Sequence, residues 1–262
     1  MEIGEIFSKS VKYPLKKDFL KTFVLFLLFG IPFAIVVLIT WSIDTHVLYH
    51  VFNIPPVRIW PIFKIIKLLT ALCLIMLALI LGGYALSVVR EGIKQSDEIP
   101  SVEIKKNIVD TFKVWILSFV FYIIPVIIVA ILMFVVVGVG SSSSAVLSGG
   151  FVIVVLISII LEIIFAILFV VGLLRLAKYD SLSEALSFSE IKEDLSKIGV
   201  GNLIVVYIGL SIIAGIIIAI GIFILNIPVI GYIGFILLPI VFAPYICLFF
   251  SYGLGLLYSD VE

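Results

Sequence analysis

The chain has 262 residues, 63% hydrophobic and 13% charged, with 17 acidic and 17 basic residues and a mean hydropathy of +1.39. A soluble domain of this size has no interior large enough for so much apolar surface, so lipid must solvate most of it. Zero net charge excludes a global basic footprint for nucleic acid, and the two cysteines, Cys73 and Cys247, both lie inside apolar runs and give no disulfide framework.

Along the chain, residues 1–14 place Ile3, Ile6, Phe7 and Val11 at helical spacing beside Lys9 and Lys12, the pattern of an amphipathic helix lying in a membrane interface. An apolar span over roughly 20–43 follows; it is longer than a signal-peptide core and lacks a small-x-small cleavage site, so an uncleaved helix is expected. Further spans are expected at roughly 62–89, 112–138, 150–174, 201–225 and 231–257, each meeting the ~20 residues needed to cross hydrocarbon. Backbone groups in lipid must be satisfied within the segment, so each span reads as a helix, and the alternation of a membrane barrel is missing. Two further polar stretches carry helical stripes. One is 99–112, with Ile104, Ile108, Val109 and Phe112; the other is 181–198, with Leu182, Ala185, Phe188, Ile191, Leu195 and Ile198 behind a capping box at Ser181 and Glu184.

Basic residues set the orientation. Of the 17 lysines and arginines, 14 precede span one or lie between spans two and three or four and five, leaving Arg58, Lys64 and Lys67 on the other side. By the positive-inside rule both termini are cytoplasmic in a plasma-membrane protein. Asp18-Phe-Leu-Lys21, Asp110-Thr-Phe-Lys113 and Asp194-Leu-Ser-Lys197 each open an odd-numbered span. Together these features predict an all-α integral membrane protein. Its six transmembrane helices form three hairpin repeats, each led by a cytoplasmic interfacial amphipathic helix. The whole chain is one membrane domain with pseudo-repeats at 1–98, 99–180 and 181–262. The Asp-x-x-Lys pairs read as local boundary markers, the aspartate near a helix start and the lysine snorkelling to the interface. They do not follow the mitochondrial-carrier pattern, because the residue two before each aspartate is Lys16, Ile108 or Lys192, never proline.

Glu162 is the sharpest candidate for function, because it falls at the centre of span four. A charge there costs ~2.5–3.5 kcal/mol on insertion scales, so hydrocarbon favours the neutral carboxyl. Ser158 and Ala166, four residues to either side, make a small, polar seam that argues for a protein-facing Glu162. Tyr122, Ser118 and Tyr207 are candidate partners. The functional reading is a proton or cation site in a transport path; the alternative is a neutral carboxyl hydrogen-bonded across a helix contact. His46 and His50, spaced i,i+4 with Asp44 nearby, could supply metal ligands, but an exposed outer turn with incidental histidines is the better reading. Ser211, Gly215 and Ala219 form a small-residue stripe suited to close helix packing. Kinks are expected at Pro32, Pro125, Pro239 and Pro244.

Tyr13-Pro14-Leu15, Gly83-Tyr84, Arg90, Asp97-Glu98-Ile99-Pro100, Leu173-Leu174-Arg175, Glu184-Ala185 and Tyr252-Gly253 resemble a family of archaeal multi-pass membrane proteins defined only as a domain of unknown function. More distantly, the chain is similar to the membrane domain attached to some bacterial glycerophosphodiester phosphodiesterases. The resemblance implies a six-span fold and an archaeal source, and it carries no catalytic residues. No His-Glu-x-x-His, Gly-x-Ser-x-Gly or phosphate-binding loop occurs in the sequence. The expectation is therefore a non-enzyme without cofactors, either a transporter or lipid-handling protein centred on Glu162, or a scaffold or partner subunit. Its surroundings would be the lipid bilayer and a membrane partner or second copy, and no nucleic acid.

Overall fold

The structure is a computed structural model that describes residues 1–15, 24, 27, 31, 35, 56–140, 144–225, 227 and 241–261. Every regular element among the described residues is helical. In chain order they are α1 (Ile3–Lys12), a 3-10 turn (Tyr13–Leu15), α2 (Pro56–Ile93), α3 (Ile104–Gly140), α4 (Ser144–Tyr179), α5 (Leu182–Ala185), α6 (Phe188–Ile198), α7 (Val200–Leu225) and α8 (Ala243–Leu257). Four of these contain stretches long and apolar enough to cross a membrane: Lys67–Ile93, Ile104–Gly138, Gly149–Tyr179 and Val200–Ile224. They correspond to expected spans two to five. Of span one only residues 24, 27, 31 and 35 are described; Asp18, Lys21, Pro32 and Pro239 lie outside the described residues, and of span six the described helix is α8.

The described residues gather into two compact units that do not follow the three sequence repeats. One holds residues 1–111 and 205–260; the other holds 112–204 with Val261. The first is built around α1, α2 and α8. Helices α2 and α8 touch backbone to backbone, because a Cβ on Gly92 would stand 2.5 Å from the Tyr252 carbonyl oxygen and 2.9 Å from the Gly255 Cα. The amphipathic α1 does not lie free. Ile6 and Ser10 are buried, the Tyr245 hydroxyl donates to the Val11 carbonyl at 2.9 Å, and Tyr13 stacks on Tyr252 with ring centroids 3.8 Å apart. In the second unit α5 and α6 pack on the end of α4, burying Ala185, Ile191 and Ile198. Phe188 lies against Phe121 of α3, with ring centroids 5.5 Å apart.

Two expectations change. The stretch 99–112 does not form a separate surface helix, because from Ile104 it is the beginning of the continuous helix α3. Its amphipathicity is turned outward: Ile104, Val109 and Phe112 are exposed, while Asn107, Asp110 and Thr111 are buried. Lipid rather than water makes that direction favourable, since the polar groups then find partners in protein. The stretch 181–198 divides into α5 and α6. Ser181 caps α5 by accepting from the Glu184 amide, but the Glu184 carboxylate, instead of closing the capping box, reaches Arg175. Pro244 falls in the first turn of α8, directly after Val241 and Phe242, which are π-helical. Helix α3 runs on through Pro125.

Candidate functional site

The most heavily constrained chemistry lies where one long helix passes to the next. At the first junction, between α2 and α3, Arg90 Nη1 donates to Asp110 Oδ2 at 2.5 Å. At the second, between α4 and α6, Arg175 Nη1 donates to Asp194 Oδ2 at 2.5 Å. The side chains of Asp110 and Asp194 are only 2% and 6% exposed. These two aspartates open copies of the Asp-x-x-Lys repeat. Each is the buried acceptor for an arginine near the end of an earlier long helix. Lys113 also pairs with Asp180 at 2.7 Å and Lys197 with Glu193 at 3.2 Å.

Around each pair the junction is filled differently. At the first, Gly83 lets α2 meet the Asn107 backbone so closely that any Cβ there would overlap its carbonyl. Thr111 donates to the Leu79 carbonyl. The connecting segment is strapped down by two tyrosines, Tyr13 donating to the Glu98 carbonyl at 2.7 Å and Tyr84 to the Pro100 carbonyl at 3.3 Å. Burial pushes the Tyr13 phenol well above the usual tyrosine range and keeps it a donor, with Glu91 adding to the effect. Among the described residues, neither amide atom of the buried Asn107 side chain is hydrogen-bonded.

At the second junction Arg175 is a hub, its side chain 2% exposed. Besides Asp194 it meets the Glu184 carboxylate at 3.1 Å and the Glu190 carboxylate at 3.6 Å. Its Nε donates to the Glu184 carbonyl at 2.9 Å, and the guanidinium lies 5.0 Å from the Tyr179 ring centroid. Arginine suits this place because its planar fork serves several oxygens at once. A Cβ on Gly172 would meet the Ala185 carbonyl at 3.0 Å, so α4 and α5 are also close.

Glu162 sits in the middle of α4 and is exposed. The described residues show no hydrogen bond or ion pair for it, so the expected protein-facing seam is not formed within its own unit. Ser158, half-buried, donates to its own helix at the Val155 carbonyl, 2.8 Å away. Tyr122 packs its ring on Phe169 at 5.7 Å. Tyr207 lies edge-on to Phe250 at 5.6 Å. The small-residue stripe of α7 is exposed at Ser211, Gly215 and Ala219, and a Cβ on Gly215 would meet nothing within 4 Å. Inside the chain α7 packs instead through Leu203, Val206, Leu210 and Ala214. Asp44, His46 and His50 lie outside the described residues.

These long apolar helices, tied by buried ion pairs at their ends, fit a membrane protein of the multi-span α-helical class. The chain belongs to the family described as Protein of unknown function (DUF4013), whose profile matches residues 66–227. That range contains both arginine–aspartate pairs and Glu162, and excludes α1 and α8. No curated protein and no solved structure matches the chain.

Proposed function

We propose that this is a non-catalytic membrane scaffold or partner subunit that presents the exposed face of α4 to another protein surface. The observation that carries this is Glu162. A carboxyl at mid-span is expensive in lipid, and the described residues of its own chain leave it exposed. A covering protein surface supplies the missing hydrogen bond. The same proposal includes six spans in three hairpins, a plasma-membrane location, cytoplasmic termini and an archaeal source. The side bearing 14 of the 17 basic residues supports the cytoplasmic termini, and the repeated Asp-x-x-Lys supports the three hairpins.

A second reading, transport or lipid handling through Glu162, draws on the same mid-span carboxyl, which is a common feature of proton and ion paths. One comparison separates the two. Wild type and Glu162→Gln are reconstituted in liposomes under a pH gradient, and internal pH and solute uptake are followed. The scaffold reading expects both proteins to match empty vesicles. Uptake by wild type that Glu162→Gln loses would replace it with transport.

A further inference from the structure

We infer that the surface covering Glu162 is the same face of α4 on a second copy of this chain, related by a two-fold axis along the membrane normal. The inference rests on reading α4 as an assembly face and names its occupant. Copies inserted in one orientation can be related by a two-fold axis only if it runs along the normal, and such an interface brings residues of equal depth together. Glu162 then meets Glu162.

The chemistry of that meeting is self-complementary. A neutral carboxyl has one O–H donor and a free acceptor oxygen, so two of them satisfy each other reciprocally without any third group. The hydrocarbon offers no competing partner. A cationic answer cannot come from the middle of this chain's own spans, because Lys21, Lys64, Lys67 and Lys113 stand at the starts of spans and every other basic residue lies outside them. Ser158 and Ala166, one turn to either side of Glu162, are small enough to let two backbones approach. Val155 and Ile159 are exposed beside it and extend the contact with apolar surface.

The test places a benzophenone-bearing amino acid at Ile159, exposed and three residues from Glu162, and illuminates the protein in the membranes of its native host. Gly215 on the α7 stripe serves as a second site. The expected product is an adduct of twice the chain mass from Ile159, joined within α4. An adduct of any other protein mass from Ile159 overturns the second copy and leaves the partner-subunit reading standing. Lipid adducts alone overturn both. A double-mass adduct from Gly215 without one from Ile159 moves the seam to α7 and also overturns the inference. Independently, dimerisation of wild type, Glu162→Gln and Glu162→Leu is measured in bilayers by single-molecule photobleaching. The amide both donates and accepts, so Glu162→Gln holds the dimer within about threefold, whereas Glu162→Leu weakens it about tenfold. Dimerisation of Glu162→Leu equal to wild type overturns the carboxyl pair.

Discussion

The two junctions solve one problem with different materials. Both bury an aspartate against an arginine near the end of an earlier long helix, 20 residues away in the first and 19 in the second. The first adds close backbone contact at Gly83 and tyrosine straps, and keeps Arg90 on a side chain still 12% exposed. The second concentrates three carboxylates on one arginine with almost no exposure. Three residues before the aspartate the first has Asn107 and the second Ile191, both buried. The shared pair is therefore what each helix-to-helix passage requires, and the surroundings are free to differ. A buried pair contributes little net stability over an apolar substitute, but removing one member alone leaves an uncompensated charge.

That contrast can be broken in graded steps, each read as unfolding free energy by SDS titration in mixed micelles. Arg175→Met should cost the most, about 4–5 kcal/mol, because it strands Asp194 and leaves two glutamates facing it. Arg90→Met should cost about 3 kcal/mol, since Asp110 loses its arginine beside a partly open site. Replacing both partners, as in Arg175→Met with Asp194→Leu, should return most of the loss; if it does not, the pair does more than neutralise itself. The glycines should rank the other way. Gly83→Ala must push α2 off a backbone carbonyl, at about 2–3 kcal/mol, while Gly172→Ala asks only a small shift of Ala185 and Phe121, at about 1 kcal/mol. Smallest is a gain. Asn107→Leu, giving the first junction the apolar character of the second, removes two unpaired polar atoms and should stabilise by about 1 kcal/mol. A loss there would mean that Asn107 has a partner the junction needs.

The long apolar helices were legible in the sequence because 20 or more apolar residues leave the backbone little choice but helix. The amphipathic character of 1–14 was equally legible, and α1 forms as expected. The arginine–aspartate pairs were not, because periodicity reports which residues share a face and is silent about what meets across a connection some 20 residues long. A signal was nevertheless present: in a chain that otherwise uses lysine, arginine stands only at 58, 90 and 175. Two of those three are the buried hubs, where a multidentate cation is needed and lysine would not serve. The position of Glu162 in its span was plain from counting, but its exposure was not, since α4 is apolar all round and no stripe tells protein from lipid. The residues quoted for the family resemblance turn out to be mostly contact residues of the two junctions and of the α1–α8 packing.

The docking of α1 has a consequence for how the chain is made. Val11 takes its hydrogen bond from Tyr245, 234 residues later, and Tyr13 its stacking partner from Tyr252. During translation α1 leaves the ribosome long before its receptor on α8, 234 residues separating Val11 from Tyr245. Through most of synthesis, then, its apolar side must rest on the membrane surface or on an insertion factor, and only the arrival of α8 lets it transfer to protein. Maturation of the first unit is thereby timed by α8, and a chain that stalls before Tyr245 would leave α1 undocked for quality control to find.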